Sequence, residues 1–178
     1  MSSSDSDSQS LPGIGVLEQT PIIIEKILQS ATEKQMQWKP SADRWSISEV
    51  LAHLADAEVK AFRERIELMS KSNSVRVVPY DQEAAYKEGR YSQGKAREHL
   101  HNFCHERDRS LSLLRYTPLA ILARTADHPT AGKITANDLM NEWAFHDLGH
   151  IRQIAELFRA HAFYPNLGPF QRHYTVRP

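Results

Sequence analysis

The chain has 178 residues, enough for one domain with a sizeable core, and its 22 basic and 22 acidic side chains cancel. That balance leaves no global positive field to draw in nucleic acid, and no apolar run approaches the ~20 residues of a membrane span. A single cysteine, Cys104, excludes an intrachain disulfide and a thiolate metal cluster.

The first ten residues, MSSSDSDSQS, are polar and acidic, unlike a secretory signal. Residues 1–12 are expected to form a disordered tail ahead of one domain at 13–178, in a soluble, cytoplasmic protein. A first helix is predicted to open with Thr20 as N-cap and Pro21 at its first position, where the missing N–H costs nothing. Ile23, Ile24, Ile27, Leu28 and Ala31 then recur at helical spacing. The second helix starts on a capping box, Ser46-Ile-Ser-Glu49, with Trp45 placed to staple onto Val50. Its stripe of Val50, Leu51, Leu54, Ala61, Phe62 and Met69 continues to about residue 70.

Roughly twenty residues, Lys71–Tyr91, precede the third helix, far more than the usual bundle loop of about 2–8. The segment is read as a lid or a crossover, with a short helix over Asp81–Glu88. Its β-branched patch, Val75–Val78, is closed by Pro79 and makes no convincing strand. The third helix, from about Ser92 to Leu114, carries Ala96, Leu100, Phe103, Leu111 and Leu114. The fourth is capped by Thr135, with Asp138 in place of the usual Glu or Gln and Ile134 able to pack on Leu139, and runs to about Ala160. Four amphipathic helices predict an all-α four-helix bundle with a long connection between helices two and three.

Within that bundle the histidines stand out. With Leu139 at zero and ~100° per residue, His146 falls near 340° and His150 near 20°, in the middle of the apolar stripe. Buried imidazoles cost free energy unless their nitrogens are satisfied, and residues four apart can converge on one ion. His53 lies on the flank of the second helix's stripe, beside Val50 and Ala57; if that flank faces the fourth helix, three nitrogens form an open facial triad. His101 and His105 share the spacing but face away from Leu100 and Phe103, so they, like His99 and His161, read as surface residues. His128 reads as a turn residue before the fourth helix. Cys104 reads as a packing thiol, and Trp45 and Trp143 as core aromatics. Glu142 and Gln153 flank the histidine pair by one turn each; Glu142 is the candidate catalytic carboxylate.

Trp38-Lys-Pro40, then Asp43-Arg-Trp45-Ser46-Ile-Ser-Glu49-Val-Leu-Ala-His53-Leu, then Trp143-Ala-Phe-His146-Asp-Leu-Gly-His150-Ile-Arg-Gln153-Ile resembles the DinB-like (DinB/YfiT) superfamily. Gly168-Pro-Phe-Gln-Arg-His-Tyr174 resembles the tail of the same proteins. The resemblance implies a four-helix bundle holding a divalent metal, nickel or zinc, on His53, His146 and His150. It further implies a homodimer and a small-molecule substrate, with no nucleic-acid or membrane partner. The chemistry it implies is metal-dependent hydrolysis or transfer of a low-molecular-weight thiol, through an activated water or thiolate. A non-catalytic metal-binding or interaction module on the same bundle is the alternative.

Overall fold

The computed structural model describes residues 10–178, so the tail expected over residues 1–12 falls almost wholly outside them. Leu11, inside that expected tail, is buried against the core. Four helical rods carry the molecule: α1 (Ile14–Leu28), a rod built from α3 (Ile47–Ala57) and α4 (Glu64–Lys71), α6 (Ala96–Arg115) and α7 (Ala136–Ala162). Short helices α2 (Glu33–Gln37) and α5 (Gln82–Lys87) lie in the connections.

The first helix begins earlier than the Thr20–Pro21 signal predicts. Gly13 takes φ +72° and lets the chain enter hard against α7, where a Cβ would lie 2.5 Å from Ala144 Cβ. Pro21 is therefore inside α1, and Thr20 is no cap: its hydroxyl donates back to Val16 O at 2.8 Å. Pro21 has no N–H to offer Leu17 O. That carbonyl accepts instead from the Arg107 guanidinium at 2.8 Å.

The Ser46–Glu49 capping box forms with both of its bonds, and so does the one at Thr135, where Asp138 replaces the longer acid successfully. Between α3 and α4 the helix widens into a π segment, Glu58–Arg63. The wider turn advances the register, so Leu54, Glu58, Phe62 and Ile66 all stay on the buried side. The strand reading needs correction. A small sheet links the rod ends: β1 (Val75–Arg76) pairs in parallel with β2 (Thr125–His128), which pairs antiparallel with β3 (Gly132–Thr135).

The pairing also fixes directions. Joining β1 to β2 puts the C-terminal ends of the second and third rods at one end of the bundle. At the other end Arg97, opening α6, donates to Leu28 O and Ala31 O behind α1. With Gly13, at the start of α1, lying against Ala144 in the N-terminal half of α7, two rods run up and two run down. α1 and α3 each lie beside α6 and α7. The second and third rods are thus parallel neighbours. A rod of this length spans about 37 Å, and returning to its start takes at least about 11 extended residues. The long connection is that crossover.

Arg107, fully buried, closes the core where its two apolar clusters meet, over the Phe103 ring of one and near Trp143 of the other. All five of its N–H groups are used. They donate to both carboxylate oxygens of Glu58, both of Asp147, and Leu17 O, at 2.6–2.9 Å. Burial opposes the charge, but the two carboxylates outweigh it and hold the guanidinium above its ordinary pKa. Trp143 Nε1–H adds a bond to Glu58 at 3.1 Å. One side chain thereby ties together all four rods.

Candidate metal centre

The rods bring His53, His146 and His150 together: the apolar facing of the last two is as expected, and the flank that carries His53 does face α7. His53 Nε2 lies 3.2 Å from His146 Nε2, and His150 Nε2 lies 3.1 Å from the same atom. Ligand atoms of all three lie within 4.8 Å of one another. His53 is fully buried, so its flank of the stripe is an inward one, facing α7. His146 and His150 are only half-buried, because Leu139, Trp143, Asp147, Ile154 and Leu157 take the deeper positions of α7.

Each ring is held differently. His150 Nδ1 donates to Gln153 Oε1 at 2.8 Å, which leaves its Nε2 as a lone pair. His53 Nδ1 lies 3.2 Å from the Tyr80 hydroxyl, with Trp45 edge-on at 5.3 Å between ring centres. His146 is set by packing: Phe62 meets it edge-on at 5.3 Å and in turn stacks on Trp143 at 4.9 Å. Its Nδ1 is buried and has no partner among the described residues.

The arrangement suits a shared cation. His146 Nε2 belongs to both close contacts, so one proton on it satisfies one contact and leaves the other without a hydrogen bond directed along it. Two nitrogens bound at about 2.0–2.1 Å to a tetrahedral ion lie about 3.3 Å apart, close to the spacing seen. Burial keeps the imidazoles neutral, as metal ligands must be. Desolvation, then the neighbouring His150, pushes His53 down to about 3 and His146 down to about 2; His150 is lowered by burial as well.

One side of the trio opens. A cleft of about 770 Å³ has His146, Gly149 and His150 in its lining, with Glu142 and Gln153 beside them. Arg44, Arg152 and Arg177 stand around it. Glu142 is exposed and reaches the cleft from the turn before His146.

Of the other sequence expectations, the surface reading holds for His101 and His105 and not for His99 and His161. His101 and His105 are exposed, whereas His99 and His161 are half-buried, the latter stacked on Trp38 at 4.7 Å. His128 Nδ1 accepts from the amides of Thr130 and Ala131, a turn role. Burial, then the Glu25 carboxylate, pushes the Cys104 thiol up to about 11, the wrong direction for a nucleophile. Trp143 is core, but Trp45 stacks on Tyr86 at 4.9 Å and walls His53. Sequence reasoning missed Tyr80, Tyr91, Glu58, Arg107 and Asp147. Arg107 did carry a signal, because it sits four residues after Phe103 on the apolar stripe of α6.

The fold is similar to that of a solved protein, YfiT from Bacillus subtilis, with a TM-score of 0.76 and 25% identity over 90% of this chain and 91% of that one. That protein is described as "a probable metal-dependent hydrolase with an unusual four-helix bundle topology". No curated protein matches. A family model, the DinB superfamily, matches residues 17–154, a span that takes in all three histidines, the second and third rods and most of α1 and α7. With the sequence model, the bundle and the three-histidine cluster in agreement, the chain belongs to the DinB superfamily.

Proposed function

We propose that His53, His146 and His150 together bind one nickel or zinc ion and that the protein is a metal-dependent hydrolase of small molecules. The observation that carries this reading is the convergence of three imidazole nitrogens, burial favouring their neutral form, beside a cleft lined by His146 and His150. Three protein ligands rather than four leave room for a reactant, the pattern of catalytic rather than structural zinc. A divalent ion there supplies Lewis-acid activation of water or of a substrate thiol.

The chain's own residues do the rest. Gln153 holds His150 in the tautomer that presents Nε2. Arg44, Arg152 and Arg177 offer guanidinium N–H groups to an anionic part of a substrate lying in the cleft. Glu142, which lines the cleft from α7 one turn before His146, is our candidate for the carboxylate that accepts the proton of an attacking water. Glu142 and Glu156 are the carboxylate side chains of the cleft lining. Glu156 is engaged by Arg159 and the Arg177 amide, whereas Glu142 has no hydrogen-bond or ion-pair partner among the described residues.

Purified protein should carry about one metal ion per chain by elemental analysis. His146→Ala and His150→Ala should each abolish it while keeping the helical circular-dichroism spectrum. Full metal retention in either variant would refute the site. In a cobalt-substituted sample, a visible-band shift with glutathione would redirect the chemistry toward thiol transfer. Failure of every small molecule to perturb the bands, with no hydrolysis of ester or amide reporters, would favour the non-catalytic module.

A further inference from the structure

The crossover between the second and third rods does more than cover distance. It lays two phenols against the buried side of His53. Tyr80 Oη lies 3.2 Å from His53 Nδ1 and 2.9 Å from Tyr91 Oη, and Tyr91 Oη lies 3.1 Å from Asp56 Oδ2. Asp56 pairs with Lys60 at 2.6 Å, one turn along the second rod.

The direction of this chain follows from counting protons. A carboxylate paired with a lysine only accepts, so Tyr91 donates to Asp56. Tyr91 has then spent its one hydroxyl proton and accepts from Tyr80. Tyr80 has spent its own in turn, and its oxygen accepts from His53. His53 must therefore carry its proton on Nδ1, and Nε2 is left with a lone pair aimed at His146 and His150.

We propose that Tyr80 and Tyr91, anchored on Asp56, are positioning residues that lock His53 into its metal-ready tautomer. This rests on the three-histidine reading above, and it gives the long crossover a chemical task. Gln153 does for His150 in one contact what the crossover does for His53 in three. Asp56 stands three residues after His53, as Gln153 stands three after His150, but it is linked to the ring through the two phenols. Orienting partners of this kind are worth about 10- to 100-fold in metal affinity.

The test is Tyr80→Phe, which removes the hydroxyl and keeps the ring that stacks on His53 at 6.1 Å. Two readouts are taken. Zinc affinity is measured by competition with a chromophoric chelator. The His53 tautomer is read in metal-free protein from ring ¹⁵N shifts. Zinc binding about 10- to 100-fold weaker, together with a His53 population shifted toward Nε2–H, is the expected result. Parental affinity with an unchanged tautomer overturns the proposal. So does weaker binding with an unchanged tautomer, because the phenols then merely pin the crossover.

Should Tyr80→Phe fail to fold, Tyr91→Phe carries the same test. It frees the Tyr80 proton to donate to Nδ1 and should move the tautomer in the same direction. If the parent protein binds neither zinc nor nickel, the hydrolase reading fails, while the tautomer measurement still decides this one.

Discussion

Arg107 shows what a single residue can be asked to do. Its guanidinium is fully buried, and its cost of desolvation is offset by two carboxylates and a backbone carbonyl in bidentate geometry. Removing the cation alone would strand Glu58 and Asp147 in the core. Arg107→Ala should therefore lose about 3–5 kcal/mol of stability in chemical denaturation. A concerted replacement of Arg107, Glu58 and Asp147 by apolar residues of similar volume should lose far less. If the single variant is as stable as the parent, the ledger of its five bonds is wrong. The same residue explains a second feature, since the carbonyl it caps is the one that Pro21 leaves without its helical partner. Pro21 is tolerated inside α1 because a guanidinium replaces the missing amide.

At the scale of elements, the entry to α1 and the crossover are where local signals and observed structure part. Thr20-Pro21 is a sound helix start by local rules, yet it lies within a helix that began at Ile14. The competing force is packing: Gly13 brings the chain against Ala144, and Leu11 and Leu17 bury ahead of the proline. Gly13→Ala should cost about 1–3 kcal/mol, through both its positive φ and the 2.5 Å clash. Gly15→Ala, on the open side of the same helix with nothing within 4 Å, should be neutral or stabilising by up to about 1 kcal/mol. Thermal melts of the two variants check this; equal effects would mean that the close approach to α7 is not real. The small sheet was illegible for another reason. Its strands are two to four residues long, and β1 pairs with a segment fifty residues away, so no local alternation announces it. The capping boxes at Ser46 and Thr135, by contrast, involve only residues three apart and were fully legible.

For the molecule as a whole, the buried histidines make stability depend on pH. Folded His53 (about 3) and His146 (about 2) lie below the ordinary 6.5, mainly through desolvation. As the pH falls, the unfolded chain binds protons first. The metal-free protein should thus hold full stability above about pH 6.5 and lose it progressively down toward pH 3. The slope is up to about 1.4 kcal/mol per pH unit for each histidine. Denaturant midpoints of metal-free protein at pH 7.5, 5.5 and 4.5 measure it. A His53→Gln, His146→Gln double variant should flatten the profile, and an unchanged slope would mean that other groups set it.

By itself the sequence determined the helical class, the caps, the register of His146 and His150, and the exposure of His101 and His105, because each depends on residues within a turn or two of one another. It also suggested His53 but could not aim it, since a flank position becomes inward only when a second helix is laid along it. The up-and-down order of the rods, the crossover's contact with His53, the four-way tie through Arg107 and the cleft above the imidazoles were decided in three dimensions. Each joins residues dozens of positions apart, held together by burial and hydrogen-bond satisfaction rather than by any local preference.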